Sequence, residues 1–198
     1  MIEVKNIVKS FGKKTVLNNV SFSVPNAGVY AIVGRSGIGK TTLLRLIAGL
    51  DTPDSGSIDA KNVKIAYKFQ EPRLIDWLTA LDNVAVVIED KSTAVELARA
   101  WLATVDLSDV ALLYPDQLSG GMQQRVALAR ALAFEGDVLL LDEPFSAVDE
   151  ETKQTLLSLV KQYAQTHAVI LVTHDTSEIE TLEASVIPLW EAPSFKKL

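Results

Sequence analysis

Residues 34–41 read Gly34-Arg35-Ser36-Gly37-Ile38-Gly39-Lys40-Thr41, a glycine-rich string that closes on a lysine and a hydroxyl. Glycines at this spacing let backbone N–H groups turn inward around an anion, and a helix beginning at Lys40-Thr41-Thr42 adds its positive dipole end. Lys40 would then reach the β- and γ-phosphates of a nucleotide, and the Thr41 hydroxyl would ligate Mg²⁺. A second pair of chemical groups, Asp142-Glu143, ends the apolar run Val138–Leu141. There Asp142 can hold the metal's shell and Glu143 can polarise an attacking water, a role worth about 10²–10⁴-fold in rate. A third string, Leu118-Ser119-Gly120-Gly121-Met122-Gln123-Gln124-Arg125, places a serine and two glycines at a helix start, a second phosphate-binding device. Each string also has a plainer reading: a glycine turn with a solvated lysine, a strand-end cap, a serine-capped helix.

The elements that must carry these groups alternate. Apolar, β-rich runs at Val20–Val24, Val29–Val33, Lys64–Phe69, Val138–Leu141, Val169–Val172 and Val186–Leu189 are interleaved with amphipathic helical stretches. That is the pattern of an α/β protein, and short all-apolar strands suit a sheet buried on both faces. Residues 71–134 show helix periodicity and no convincing strand. Val95, Ala98, Leu102 and Val105 fall on one helical face, with Ser92 or Thr93 as its cap and Glu96 in its first turn.

Composition bounds the function. The chain has 198 residues, 48% hydrophobic and 22% charged, with a formal net charge of −6. Its longest apolar runs, such as Val84–Ile88, are far below the roughly 20 residues of a membrane helix. The charges at Glu3, Lys5 and Lys9 interrupt any signal-peptide core. Zero cysteines exclude disulfides and thiolate chemistry and fit a cytosolic setting. Residues 1–99 carry 13 basic and 10 acidic side chains, so the positive excess lies with the candidate anion site or reflects surface composition alone. The overall acidity disfavours nucleic acid as a partner.

Leu118–Arg125 resembles the signature motif of the ATP-binding cassette (ABC) ATPases, and that family's other motifs stand around it in order. Residues 34–41 match its Walker A loop and 138–142 its Walker B strand. Gln70 matches the Q-loop glutamine, Ser146-Ala147-Val148-Asp149 the D-loop, His174 the switch histidine, and Phe11 the ring laid against adenine. The resemblance spans roughly residues 2–189. It implies one ABC domain over 1–198: a P-loop NTPase core with a mainly parallel sheet, an antiparallel β edge subdomain and a helical subdomain inserted at about 71–134. It also implies a head-to-tail dimer, in which the Walker A loop of one copy faces Ser119, Gly120, Gly121 and Gln123 of a second. ATP and Mg²⁺ are the implied ligands, with Thr41, Gln70 and, through water, Asp142 on the metal. Lys40, Glu143, Gln70 and His174 are the implied catalytic set, and Asp149 would signal across the dimer. Taken singly, Gln70 and His174 read more readily as strand-end residues, and Asp149 reads as a cap for Glu150–Tyr163; their joint order reverses that.

Residues 69–84 resemble the corresponding segment of nitrate, sulfonate and taurine importer ATPases. In those, this lobe receives a coupling helix from a membrane subunit. Leu74, Ile75, Trp77 and Leu78 would form the docking cluster near residues 70–81, unless Trp77 packs inside the lobe. The chain is shorter than such ATPases between Ile58 and Gln70 and after His174. Val148 stands where the D-loop has leucine, and Ser185 where arginine is usual. An ATP-hydrolysing importer subunit, peripheral on the cytoplasmic membrane face, is the resulting expectation. The alternative is a soluble ABC mechanoenzyme of DNA repair or translation, although such enzymes carry paired cassettes or coiled-coil insertions that this chain lacks. A nucleotide-binding regulator without turnover is a third reading, disfavoured by intact Glu143 and His174.

Overall fold

The computed structural model describes residues 1–189. Two long strands, β1 (Ile2–Phe11) and β2 (Lys14–Val24), lead into β3 (Gly28–Val33) and helix α1 (Lys40–Ile47). Strands β4 (Ser55–Asp59) and β5 (Ile65–Lys68) follow. The helices α2 (Ala80–Ala85), α3 (Ala94–Thr104) and α4 (Gly120–Ala133) then come in succession without a strand between them. The chain returns through β6 (Val138–Asp142), α5 (Glu150–Tyr163), β7 (Ala168–Val172), α6 (Thr176–Thr181) and β8 (Ser185–Pro188).

These strands make two sheets. One has the order β2-β1-β4 and is antiparallel; the other has the order β5-β6-β7-β3-β8 and is parallel throughout. Both β6 and β7 are buried along their whole length, as inner strands covered on two faces require. On one face, α1 is clamped between the sheets: Leu43, Leu44 and Ile47 pack with Ile2, Ile7 and Leu17 and with Leu140 and Ile170. On the other, Leu139 and Leu141 meet the helical lobe and α5 through Val126, Leu128, Leu156 and Val160. No helix among the described residues is long and apolar enough to cross a membrane.

The α/β architecture follows the pattern read from the sequence, with differences at the edges. Strands β1 and β4 went unforeseen. β1 mixes inward and outward residues because its register against β2 shifts three times, and β4 has one apolar residue in five. In α3, Ala98 and Leu102 are buried, as is Val105 at its C-terminal cap, but Val95 is 52% exposed. Ala94 takes the inward place instead, four residues before Ala98. Thr93 precedes that helix without a side-chain cap bond, while the Ser92 hydroxyl bonds Asp90. The single-domain reading to residue 198 runs past the structure, since 190–198 lie outside the described residues.

Candidate functional site

The strand-to-helix passage from β3 to α1 forms the floor of a cavity of about 350 Å³. Ser36, Gly37, Gly39, Lys40, Thr41 and Thr42 line it from the loop; Gln70, Glu143 and His174 line it from three other segments, and Phe11 closes one side. Gly39 sits at φ +111°, and a Cβ there would stand 2.6 Å from Val16 Cγ1, so only glycine lets the loop pass beneath β2. Gly34, Arg35 and Ile38 complete the turn, with the Ile38 N–H donating to the Arg35 carbonyl at 3.2 Å. The Lys40 ammonium reaches back across the loop to the carbonyls of Gly34 (2.8 Å) and Arg35 (3.2 Å). Burial lowers its pKa, while the nearby Glu143 and Asp142 carboxylates pull it upward.

Asp142 closes β6 and is 1% exposed. Neither of its carboxylate oxygens has a partner at hydrogen-bond distance. Burial raises its pKa, and the facing hydroxyls of Thr41 and Tyr67 act the other way. A buried carboxylate with free lone pairs beside a threonine hydroxyl is a hard-oxygen donor set, and it fits Mg²⁺. Glu143 follows at φ +45°, where the chain turns out of the strand. Its N–H donates to the Val172 carbonyl at 2.9 Å, and its Oε1 stands 3.1 Å from His174 Nε2. The loops after β6 and β7 therefore bring the expected base and the expected switch histidine into contact.

The signature residues stand elsewhere. Ser119 caps α4 by accepting the Met122 N–H at 3.3 Å, and none of Ser119, Gly120 and Gly121 lines the cavity. Gly121 is pressed on the turn after β6: a Cβ there would meet the Ala147 carbonyl at 2.5 Å. The Gln123 amide donates within its own segment, to the carbonyls of Pro115 (2.8 Å) and Leu118 (3.2 Å). Asp149 caps α5 by accepting the Thr152 N–H at 2.9 Å.

Residues 71–79 form an irregular, well-anchored segment. Asn83 is fully buried and holds it, accepting the Ile75 N–H and donating to the carbonyls of Ile75, Leu78 and Thr79 at 2.7–3.1 Å. Arg130 of α4 donates to the carbonyls of Pro72 and Arg73, both at 2.9 Å. Trp77 stands out from this frame, 79% exposed, which removes the reading that it packs inside the lobe.

Sequence reasoning passed over several polar groups beside the cavity. The sequence pattern marks Lys68 only as part of a strand, yet it is 1% exposed and donates to the carbonyls of Glu143 (3.3 Å) and Asp142 (3.5 Å). Burial pushes its pKa down to about 8 against the pull of both carboxylates. A lysine two residues from inward Ala66, in an otherwise apolar run, was the available signal. Gln124 Nε2 donates to the Gln70 carbonyl at 3.0 Å and ties α4 to the glutamine's loop. Lys153 of α5 pairs with Asp175 and, at 3.4 Å, with Glu178, bracing the turn that carries His174.

A family model described as ABC transporter matches residues 17–146. The chain is 44% identical over 192 residues to the aliphatic sulfonates import ATP-binding protein SsuB of Corynebacterium glutamicum, covering 94% of this chain and 79% of that one. It is 40% identical over 199 residues to SsuB 1 of Pseudomonas syringae pv. syringae, covering 98% and 82%. Among solved structures, the ATP-binding cassette MJ0796, in a dimeric post-hydrolysis state bound to ADP and Pi, matches with a TM-score of 0.87 at 32% identity over 96% of this chain and 94% of that one. A further dimeric structure of MJ0796, described as a bacterial ABC transporter cassette, gives 0.85 at the same identity and coverage. These likenesses support an importer subunit and lend nothing to the soluble repair or translation enzyme. The chain belongs to the ABC transporter family, as the ATP-binding and ATP-hydrolysing subunit of an importer.

Proposed function

We propose that this chain is a single ABC domain that hydrolyses Mg²⁺-bound ATP in a site completed head-to-tail by a second copy of itself. The observation that carries this is the split between the two anion devices. Lys40, Thr41, Gln70, Glu143 and His174 share one cavity, while Ser119, Gly120 and Gly121 stand outside it. In the dimer each copy's signature helix covers the other's nucleotide, with Gln123 at the same edge and Asp149 at the interface.

The loop N–H groups and Lys40 hold the β- and γ-phosphates, and Phe11 stacks on adenine. Thr41, Gln70 and Asp142 would hold the metal, which would neutralise charge on the phosphate oxygens. Glu143 accepts the proton of the attacking water, and His174 contacts the γ-phosphate. Phosphoryl transfer then depends on positioning and charge neutralisation. Loss of the γ-phosphate loosens the bridge between copies, and the resulting motion reaches a membrane permease docked around residues 70–81. Exposed Trp77 on a braced segment supports that docking site, and a chain docked there sits peripherally on the cytoplasmic face of the membrane. An aliphatic sulfonate, or an anion of that class, is the cargo that the relatives suggest.

The test is Glu143→Gln. The variant is expected to bind ATP, to form a longer-lived dimer on size-exclusion chromatography, and to release phosphate about 10²–10⁴-fold more slowly. Normal turnover would remove the assignment of the base.

A further inference from the structure

We propose that Lys68 is a positioning residue for Glu143: its ammonium holds the backbone on both sides of that residue, so that the carboxylate is aimed into the nucleotide cavity. The inference rests on the reading of Glu143 as the base and adds the group that sets its direction.

Lys68 stands at the end of β5, on the face that Ala66 turns toward the helical lobe, and is 1% exposed. A buried ammonium carries a desolvation cost that an apolar residue of the same length would avoid. Its two acceptors are the consecutive carbonyls of Asp142 and Glu143, at 3.5 and 3.3 Å. In an extended strand, consecutive carbonyls point to opposite sides. One ammonium can take both only where the residue between them has left the strand conformation, as Glu143 has at φ +45°. That region is unfavourable for a residue with a Cβ and persists only where its surroundings over-determine it.

The surroundings do so here. The Glu143 N–H is tied to the Val172 carbonyl at 2.9 Å. Its carbonyl also accepts the Ser146 hydroxyl at 3.1 Å, and Ser146 in turn accepts from Gln124 at 3.5 Å. Gln124 bonds the Gln70 carbonyl as well. One backbone carbonyl thus collects donors from β5 and from the turn after β6, and through Gln124 it joins the signature helix to the glutamine loop. Without the ammonium, the plane before Glu143 keeps only its N–H bond to Val172 and the plane after it only its bonds from Ser146, and the one donor that fixes the two planes relative to each other is lost. The Glu143 carboxylate then leaves His174 Nε2, now 3.1 Å away.

The experiment compares the full chain with Lys68→Met, Lys68→Gln, Glu143→Gln and the double variant Lys68→Met/Glu143→Gln. The readouts are phosphate release with Mg²⁺ and ATP, ATP binding at equilibrium, and melting temperature. Lys68→Met is expected to lower kcat by about 10- to 100-fold, the scale of a small misplacement of a reacting group. KM, ATP affinity and melting temperature should hold. Adding it to Glu143→Gln should cost no further rate, because the two act through one group. Lys68→Gln keeps a donor on a shorter stem and should fall between. If Lys68→Met does not fold, Lys68→Gln decides alone: a lower kcat with intact ATP affinity supports the inference, and joint loss overturns it. An unchanged kcat in Lys68→Met would overturn it, as would a full further loss in the double variant. Normal turnover in Glu143→Gln removes the base itself and this inference with it, an outcome distinct from failure at Lys68 alone.

Discussion

In the nucleotide cavity, Lys40 already has two acceptors, the carbonyls of Gly34 and Arg35. It therefore organises the loop by itself, and in the proposed site phosphate oxygens would share or replace those bonds. Lys40→Met should weaken ATP binding at least tenfold, since hydrogen bonds to charged groups are worth about 1.5–3 kcal/mol each. It should also speed amide exchange across residues 34–39, and a calorimetric titration paired with exchange measurements reads both effects. Beside His174, a hydrogen bond from the Lys153 ammonium, with further ones from Ser177, holds the Asp175 carboxyl down at about 2 against an ordinary 3.8. A depressed carboxylate stabilises the fold above its unfolded pKa and loses that contribution as pH falls through its folded one. Because the Asp175 side chain is 41% exposed, solvent screens the pair, which is worth at most about 1 kcal/mol. Asp175→Asn should therefore lower the urea midpoint slightly at neutral pH, with the gap closing between 3.8 and about 2. Lys40, Glu143 and His174 were legible as strings or in motif order, because their chemistry depends on local spacing. Lys68 was not, because its role depends on the register of β5 against β6 and on the cover that α4 provides.

The inserted lobe earns its rigidity from Asn83 on α2. This side chain ties four backbone groups of residues 75–79, while Arg130 on α4 adds two more at 72 and 73. Asn83→Ala would leave several of these groups buried and unpaired, at about 1–3 kcal/mol each for those that water cannot reach. The expected result is a lower urea midpoint with fast amide exchange confined to 72–79, and ATP affinity held because the phosphate loop is untouched. A global rise in exchange would show that Asn83 supports the whole lobe instead. Strands β6 and β7 were readable as apolar runs because both of their faces are covered. β1 was hidden because it serves one face only and its bulges break the alternation, and β4 because Ser55, Ser57 and Asp59 leave Ile58 as its one apolar contact.

Across the whole molecule, the signature residues Ser119, Gly120 and Gly121 do not line the cavity, and in the proposed head-to-tail arrangement complete catalysis would need two copies. Phosphate release per chain should then rise with protein concentration, and its ATP dependence should be sigmoidal with a Hill coefficient above 1. Dilution should abolish both; a rate per chain independent of concentration would show that one copy suffices. The split was suggested by the sequence, since two anion devices stood in one chain, but only folding shows which residues share a cavity. The outward indole of Trp77 carries a further consequence. An indole bathed in water emits at long wavelength and is readily quenched by iodide, and both properties change when an apolar surface displaces that water. The segment therefore provides an intrinsic optical signal, and with Trp101 and Trp190 replaced by phenylalanine, occupancy of this face can be followed without an attached dye.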